Sequence, residues 1–127
     1  MKKILIVEDE KSMHEVYQDI FLEEKGQYHL FFAFSVEEAL NILGKETIDL
    51  IVLDIIMEPI PGQYLYLKLM QDEELKSKKI PVIIASVLKR DMFERLESVG
   101  EVCVFEKPIV REPFLHKVQE LTGAGAK

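Results

Sequence analysis

Asp49-Leu50-Ile51-Val52-Leu53-Asp54 is the stretch that decides how this chain is read. Four apolar residues stand in a row between two acids without alternating with polar ones. That pattern fits a short strand covered on both faces, as strands in a parallel sheet are. Similar runs occur at residues 4–7, 28–34, 48–53, 80–85 and 102–105, and helical periodicity fills the intervals between them.

After the first run, Met13, Val16, Tyr17 and Ile20 fall at i, i+3, i+4 and i+7, Ser12 with Glu15 forms a capping box, and Gly26 is placed to close the segment. Ser35 and Glu38 repeat the start signal ahead of Val36, Ala39, Leu40 and Leu43, with Gly44 as the stop. Leu65 and Leu69 mark a third helix over residues 62–70, and a polar loop is expected over 71–79. Asp91 caps a fourth helix with Met92, Leu96 and Val99, and Phe114, Leu115, Val118 and Leu121 stripe a fifth. Strand and helix alternate five times. The expected fold is therefore a doubly wound α/β domain, with a five-stranded, mostly parallel sheet and helices on both faces. One domain over residues 1–121 and a short flexible tail over 122–127 account for the whole chain.

Composition narrows the function. The 127 residues carry a net charge of -7, which repels a phosphate backbone, and Lys76, Lys78 and Lys79 closely follow Asp72, Glu73 and Glu74. Direct nucleic-acid binding is disfavoured. Cys103 is the single cysteine, so no internal disulfide forms, and its apolar neighbours give it the character of a small hydrophobe. The apolar run after Met1-Lys2-Lys3 stops at Glu8, too soon for an export signal, and no stretch is long enough to span a membrane. The expectation is a soluble, cytoplasmic protein.

In open α/β sheets, chemistry collects at the carboxyl ends of the strands. Here those ends hold Glu8 and Asp9, then Asp54, then Ser86, then Lys107 followed by Pro108. Clustered carboxylates raise one another's pKa and favour a cation, and an all-oxygen donor set suits a hard ion such as Mg²⁺. A carboxylate can also act as a nucleophile toward phosphorus, while a divalent ion and an ammonium neutralise the transferred group. Asp54 is the best-placed nucleophile. Ser86 and Lys107 are suited to hydrogen-bond and pair with a phosphoryl group.

These pieces, taken in order, resemble the receiver domain of two-component response regulators over essentially the whole chain. The match rests on residues 4–10, on residues 49–54 with Met57 and Gly62 following, on residues 81–86, and on Lys107-Pro108. The resemblance implies a flavodoxin-like sheet of order 2-1-3-4-5. It also implies that Glu8, Asp9, Asp54 and the backbone carbonyl of Ile56 hold Mg²⁺, and that Asp54 takes phosphate from a sensor histidine kinase or a phosphotransfer protein. Ser86 and Lys107 then sense it. By the same resemblance the Lys107-Pro108 bond is cis, and phosphorylation shifts a two-state equilibrium at the face near the fourth helix, fifth strand and fifth helix, toward a downstream effector or output domain. A homodimer is compatible with this reading. Such a domain is no enzyme beyond handling its own phosphate.

Some positions depart from the family pattern. Glu58 stands where a proline follows the methionine, Val87 replaces a small alanine after Ser86, and Val104 replaces the aromatic three residues before the lysine. Phe105 cannot take over, because neighbouring strand residues face opposite ways. Output is therefore expected to depend on Ser86 and its loop.

Each acid, hydroxyl or lysine alone has an ordinary explanation as a cap, turn or surface residue, and it is their joint placement at four strand ends that favours function. His14, His29 and His116 show no metal-ligand spacing and are read as structural or surface residues. A dinucleotide enzyme would need a glycine-rich turn where Glu8-Asp9-Glu10 stands, and an aspartate-nucleophile phosphatase would need a carboxylate where Ile56 stands. The remaining alternative is a non-phosphorylated pseudo-receiver that serves as a protein-interaction module.

The resemblance implies that Ile56 and Leu88, two beyond Asp54 and Ser86, flank the phosphate, and neither has a side-chain group to orient a hydrolytic water. A long-lived aspartyl phosphate is predicted. Dephosphorylation followed by intact mass checks this, and decay within seconds would contradict it.

Overall fold

The computed structural model describes residues 1–24, 26–57, 59–87 and 103–123. In chain order its elements are β1 (Lys2–Val7), α1 (Lys11–Phe21), β2 (Tyr28–Ala33), α2 (Val36–Lys45), β3 (Leu50–Leu53), α3 (Gly62–Gln71), α4 (Glu73–Ser77), β4 (Val82–Ser86), β5 (Cys103–Glu106) and α5 (Arg111–Thr122). The five strands form one sheet in the order β2-β1-β3-β4-β5, and every pairing is parallel. This is the expected topology, with β1 and β3 side by side at the centre. The helix expected after Asp91 lies outside the described residues.

The unbroken apolar runs are explained by two cores. Leu5, Val7, Ile51, Leu53 and Ile84 point to one face, where Ala39 and Leu43 of α2 and Leu65 and Leu69 of α3 cover them. Ile4, Ile6, Leu50, Val52, Ile83 and Ala85 point to the other, against Tyr17, Ile20 and Phe21 of α1 and Phe114, Leu115 and Val118 of α5. Alternate residues thus serve alternate cores, and both sets are apolar. Val104 packs with the first core and Phe105 with the second, on opposite faces as expected.

Several local expectations need correction. The N-cap of α1 is Glu10 and not Ser12; the carbonyl of Glu10 accepts from the amides of Met13 and His14 at 3.1 and 3.4 Å, so the helix starts earlier and Ser12 lies within it. Its buried stripe is His14, Tyr17, Ile20 and Phe21, whereas Val16 is exposed. Ser35 does cap α2, accepting from the Glu38 amide at 3.1 Å. Gly44 does not stop that helix, because the chain leaves it through Glu46 in an extended conformation that needs no glycine. Residues 71–79 contain the short helix α4, capped by the Asp72 carboxylate accepting from Leu75 at 3.1 Å. None of its five residues is fully buried and Leu75 alone among them packs, partly buried, against the first core, so no apolar stripe announces it. At the other end α5 runs through Thr122 and closes on Gly123 at φ 76.

Gly62 is needed for space. A Cβ on this residue would lie 1.8 Å from the backbone oxygen of Asp54, and its own amide donates to Ile55 at 2.9 Å. The start of α3 is thus pressed directly onto the backbone of the proposed nucleophile. Gly62→Ala is predicted to destabilise the protein by about 1–3 kcal/mol, as overpacking of a tight interior does, because backbone cannot yield as a side chain does. Urea denaturation checks this; an unchanged midpoint would contradict the contact.

Candidate functional site

The parallel register brings the strand ends together, and backbone hydrogen bonds continue one residue past three of the pairings. The Glu8 amide donates to Ala33 at 3.0 Å, the Asp54 amide to Val7 at 3.0 Å and the Lys107 amide to Ser86 at 3.1 Å. Side chains leaving from these points converge. Ser86 Oγ donates to Asp54 Oδ1 at 2.7 Å, and the Ile56 amide donates to the same oxygen at 3.0 Å. Lys107 Nζ lies 2.7 Å from Glu8 Oε2 and 3.3 Å from Asp54 Oδ2, so one ammonium bridges two carboxylates. Glu8 Oε1 also accepts from the Glu10 amide at 3.3 Å. Glu8, Asp54 and Ser86 are buried, whereas the side chains of Ile56 and Val87 beside them are exposed at 52% and 61%. The peptide bond that follows Lys107 is cis.

Burial sets the electrostatics. Removal from water pushes the Glu8 carboxyl up from the ordinary 4.5 to about 7; the hydrogen bond from Lys107 pulls the other way, and the nearby charge of Asp54 adds to the rise. Burial by itself lowers the affinity of Lys107 for its proton, but the hydrogen bond to Glu8 and the charges of Asp54 and Glu8 outweigh it. The net shift is upward. The phenol of Tyr17, buried under the site, is also pushed up by desolvation and by the charges of Glu8 and Asp54.

The donor set fits a hard divalent cation. Carboxylate oxygens of Glu8, Asp9 and Glu10 lie within 4.8 Å of one another, and Glu8 is joined to Asp54 through Lys107. A buried carboxylate whose charged form is disfavoured gains most from an added cation. Sequence reasoning named Glu8, Asp9, Asp54, Ile56, Ser86 and Lys107, and the structure gathers all six at one end of the sheet. Two contributors were missed. Glu10 joins the acidic cluster, which its place beside Glu8 and Asp9 already suggested. His14 is buried and its Nε2 lies 2.6 Å from the Glu8 carbonyl oxygen, a contact foreshadowed only by its helical spacing from Tyr17 and Phe21. Glu58 and Leu88 lie outside the described residues.

Comparison with known proteins agrees with the fold. Residues 4–119 match the family model described as the response regulator receiver domain. The polar-differentiation response regulator DivK of Brucella ovis is 28% identical over 122 residues, covering 96% of this chain and 97% of DivK. Response regulator GtcR of Aneurinibacillus migulanus is 34% identical over 90 residues, which are 71% of this chain but only 34% of GtcR. Among solved structures, the receiver domain of Francisella response regulator 1452 superposes with a TM-score of 0.78 at 28% identity, covering 97% of this chain and 98% of that one. Thermotoga maritima response regulator TrrA, solved in complex with Mg²⁺-BeF, gives 0.79 at 26% identity, covering 95% of this chain and 99% of that one. Among the described residues no helix is long and apolar enough to cross a membrane.

The raised Glu8 pKa predicts a pH dependence of stability in the presence of a chelator. Between pH 4.5 and about 7 the folded protein binds more protons at Glu8 than the unfolded chain does, so stability falls as pH rises through that window. Glu8→Gln should flatten this part of the profile, as read from urea midpoints across the same range. A slope of the opposite sign that the substitution leaves intact would contradict the assignment.

Proposed function

This chain belongs to the response regulator receiver domain family, and from that premise we propose that Asp54 is its phosphoacceptor. Membership implies a histidine kinase as partner and a role in signalling, distinct from that of a conventional enzyme. Receiver domains bind Mg²⁺ at their acidic pocket. In this chain we assign the ligands to Glu8, Asp9, Asp54 and the carbonyl oxygen of Ile56; that TrrA is solved in complex with Mg²⁺-BeF supports Mg²⁺ as the ion.

The observation that carries the proposal is the Asp54 carboxylate itself, buried at a strand end yet held by a hydroxyl, an amide and an ammonium. A carboxylate oxygen of Asp54 attacks the phosphorus of a phosphohistidine. The P–N bond breaks as the P–O bond forms, and the imidazole leaves with the electron pair and takes up a proton. Ser86, which donates to Oδ1, and Lys107, which lies beside Oδ2, are positioned to turn toward the oxygens of the arriving phosphoryl group. Lys107 then exchanges a contact with Glu8 for one with phosphate. When bound, Mg²⁺ supplies charge neutralisation for those oxygens and relieves the repulsion between Glu8 and Asp54.

The phosphoryl donor is a sensor histidine kinase or a phosphotransfer protein, and the readout is a change in the surface offered to an effector or output domain. Val104 has no ring to move into the core, so the signal leaves through Ser86 and the chain after it.

Incubation with Mg²⁺ and acetyl phosphate should add the mass of one phosphoryl group to the wild-type chain and none to Asp54→Asn. Addition to both would place the acceptor elsewhere. Addition to neither would favour a pseudo-receiver that acts only as an interaction module.

A further inference from the structure

His14 is the buried polar residue next to the site that the phosphoryl chemistry leaves unused. It is 5% exposed, in the first turns of α1, and its Nε2 lies 2.6 Å from the carbonyl oxygen of Glu8. A carbonyl only accepts, so Nε2 carries the proton. The ring stacks on Phe32 with centroids 4.7 Å apart and lies tilted against Phe34 at 4.3 Å. The amide of Phe34 donates to the Glu38 carboxylate at 3.3 Å, which ties this aromatic wall to the start of α2. The imidazole is thereby held between two elements with its Nε2 aimed at a single atom.

That atom belongs to the peptide group joining Glu8 to Asp9. The preceding peptide is fixed as well, since the Glu8 amide donates to Ala33 at 3.0 Å. Rotation of the Glu8–Asp9 peptide would redirect both carboxylates, and this hydrogen bond opposes it. We propose that His14 is a positioning residue for the cation site, its Nε2–H fixing the Glu8–Asp9 peptide so that the two carboxylates remain aimed at an ion shared with Asp54. The inference rests on the Mg²⁺ ligands assigned above. It gives His14 no contact with the ion, and acts as outer hydrogen bonds to metal ligands generally do.

Three substitutions separate the donor from the ring. His14→Phe keeps an aromatic ring against Phe32 and Phe34 but has no donor. His14→Gln places an amide N–H near the position of Nε2 without a ring, and His14→Asn carries the same amide on a side chain too short to reach. Calorimetric titration of each folded chain with MgCl₂ should show affinity about 10-fold or more weaker in the Phe and Asn variants, with Gln staying close to wild type. Thermal melts of the same samples report stability independently. Should His14→Phe fail to fold, the contrast between Gln and Asn still decides. Equal Mg²⁺ affinity in all variants, or a Gln variant as weak as Asn, would overturn the positioning role while leaving the cation site intact. A wild-type chain that takes up no Mg²⁺ would overturn both.

Discussion

One ammonium group shared by two buried carboxylates holds the working end of this domain together. Lys107 reaches Glu8 across 99 positions of sequence and Asp54 across 53, and so ties the end of β5 to the ends of β1 and β3. Two desolvated acids side by side are unfavourable, and a cation between them is the least costly remedy short of protonation. The arrangement is therefore poised. Anything that brings positive charge to Glu8 and Asp54, or negative charge to Lys107, competes with the existing pairing. A divalent ion does the first and a phosphoryl group does the second.

The sheet makes this convergence possible. Because β1, β3 and β4 are buried on both faces, their registers are fixed by two cores at once, and a slip of one residue would exchange the side chains each core receives. Backbone hydrogen bonds that run past the strand ends carry this precision out to Glu8, Asp54 and Lys107. Gly62 adds a limit from the other side, since the start of α3 lies so close to the Asp54 backbone that no side chain fits between them.

Much of this was legible in the sequence for a physical reason. Strands covered on both faces appear as unbroken apolar runs, so five of them with helical intervals already imply a parallel sheet, and the residues ending those runs are the ones the fold must bring together. What was hidden depends on tertiary detail. The buried stripe of α1 includes His14 and excludes Val16, although Met13, Val16, Tyr17 and Ile20 form an equally good helical pattern, and only contact with β2 decides between them. The helix α4 sets only Leu75, partly buried, against the core and is started by the Asp72 cap, so hydrophobic periodicity had a single residue and no stripe to detect. That Lys107 rests on Glu8, in addition to facing Asp54, follows from distances that spacing along the chain does not encode.

A crystal structure of the protein grown with Mg²⁺ tests the central claim most directly. One ion is expected there, bound by carboxylate oxygens of Glu8, Asp9 and Asp54 together with the carbonyl oxygen of Ile56, with Lys107 still within reach of Asp54. An ion bound by Glu8, Asp9 and Glu10 without Asp54, or none at this end of the sheet, would contradict it.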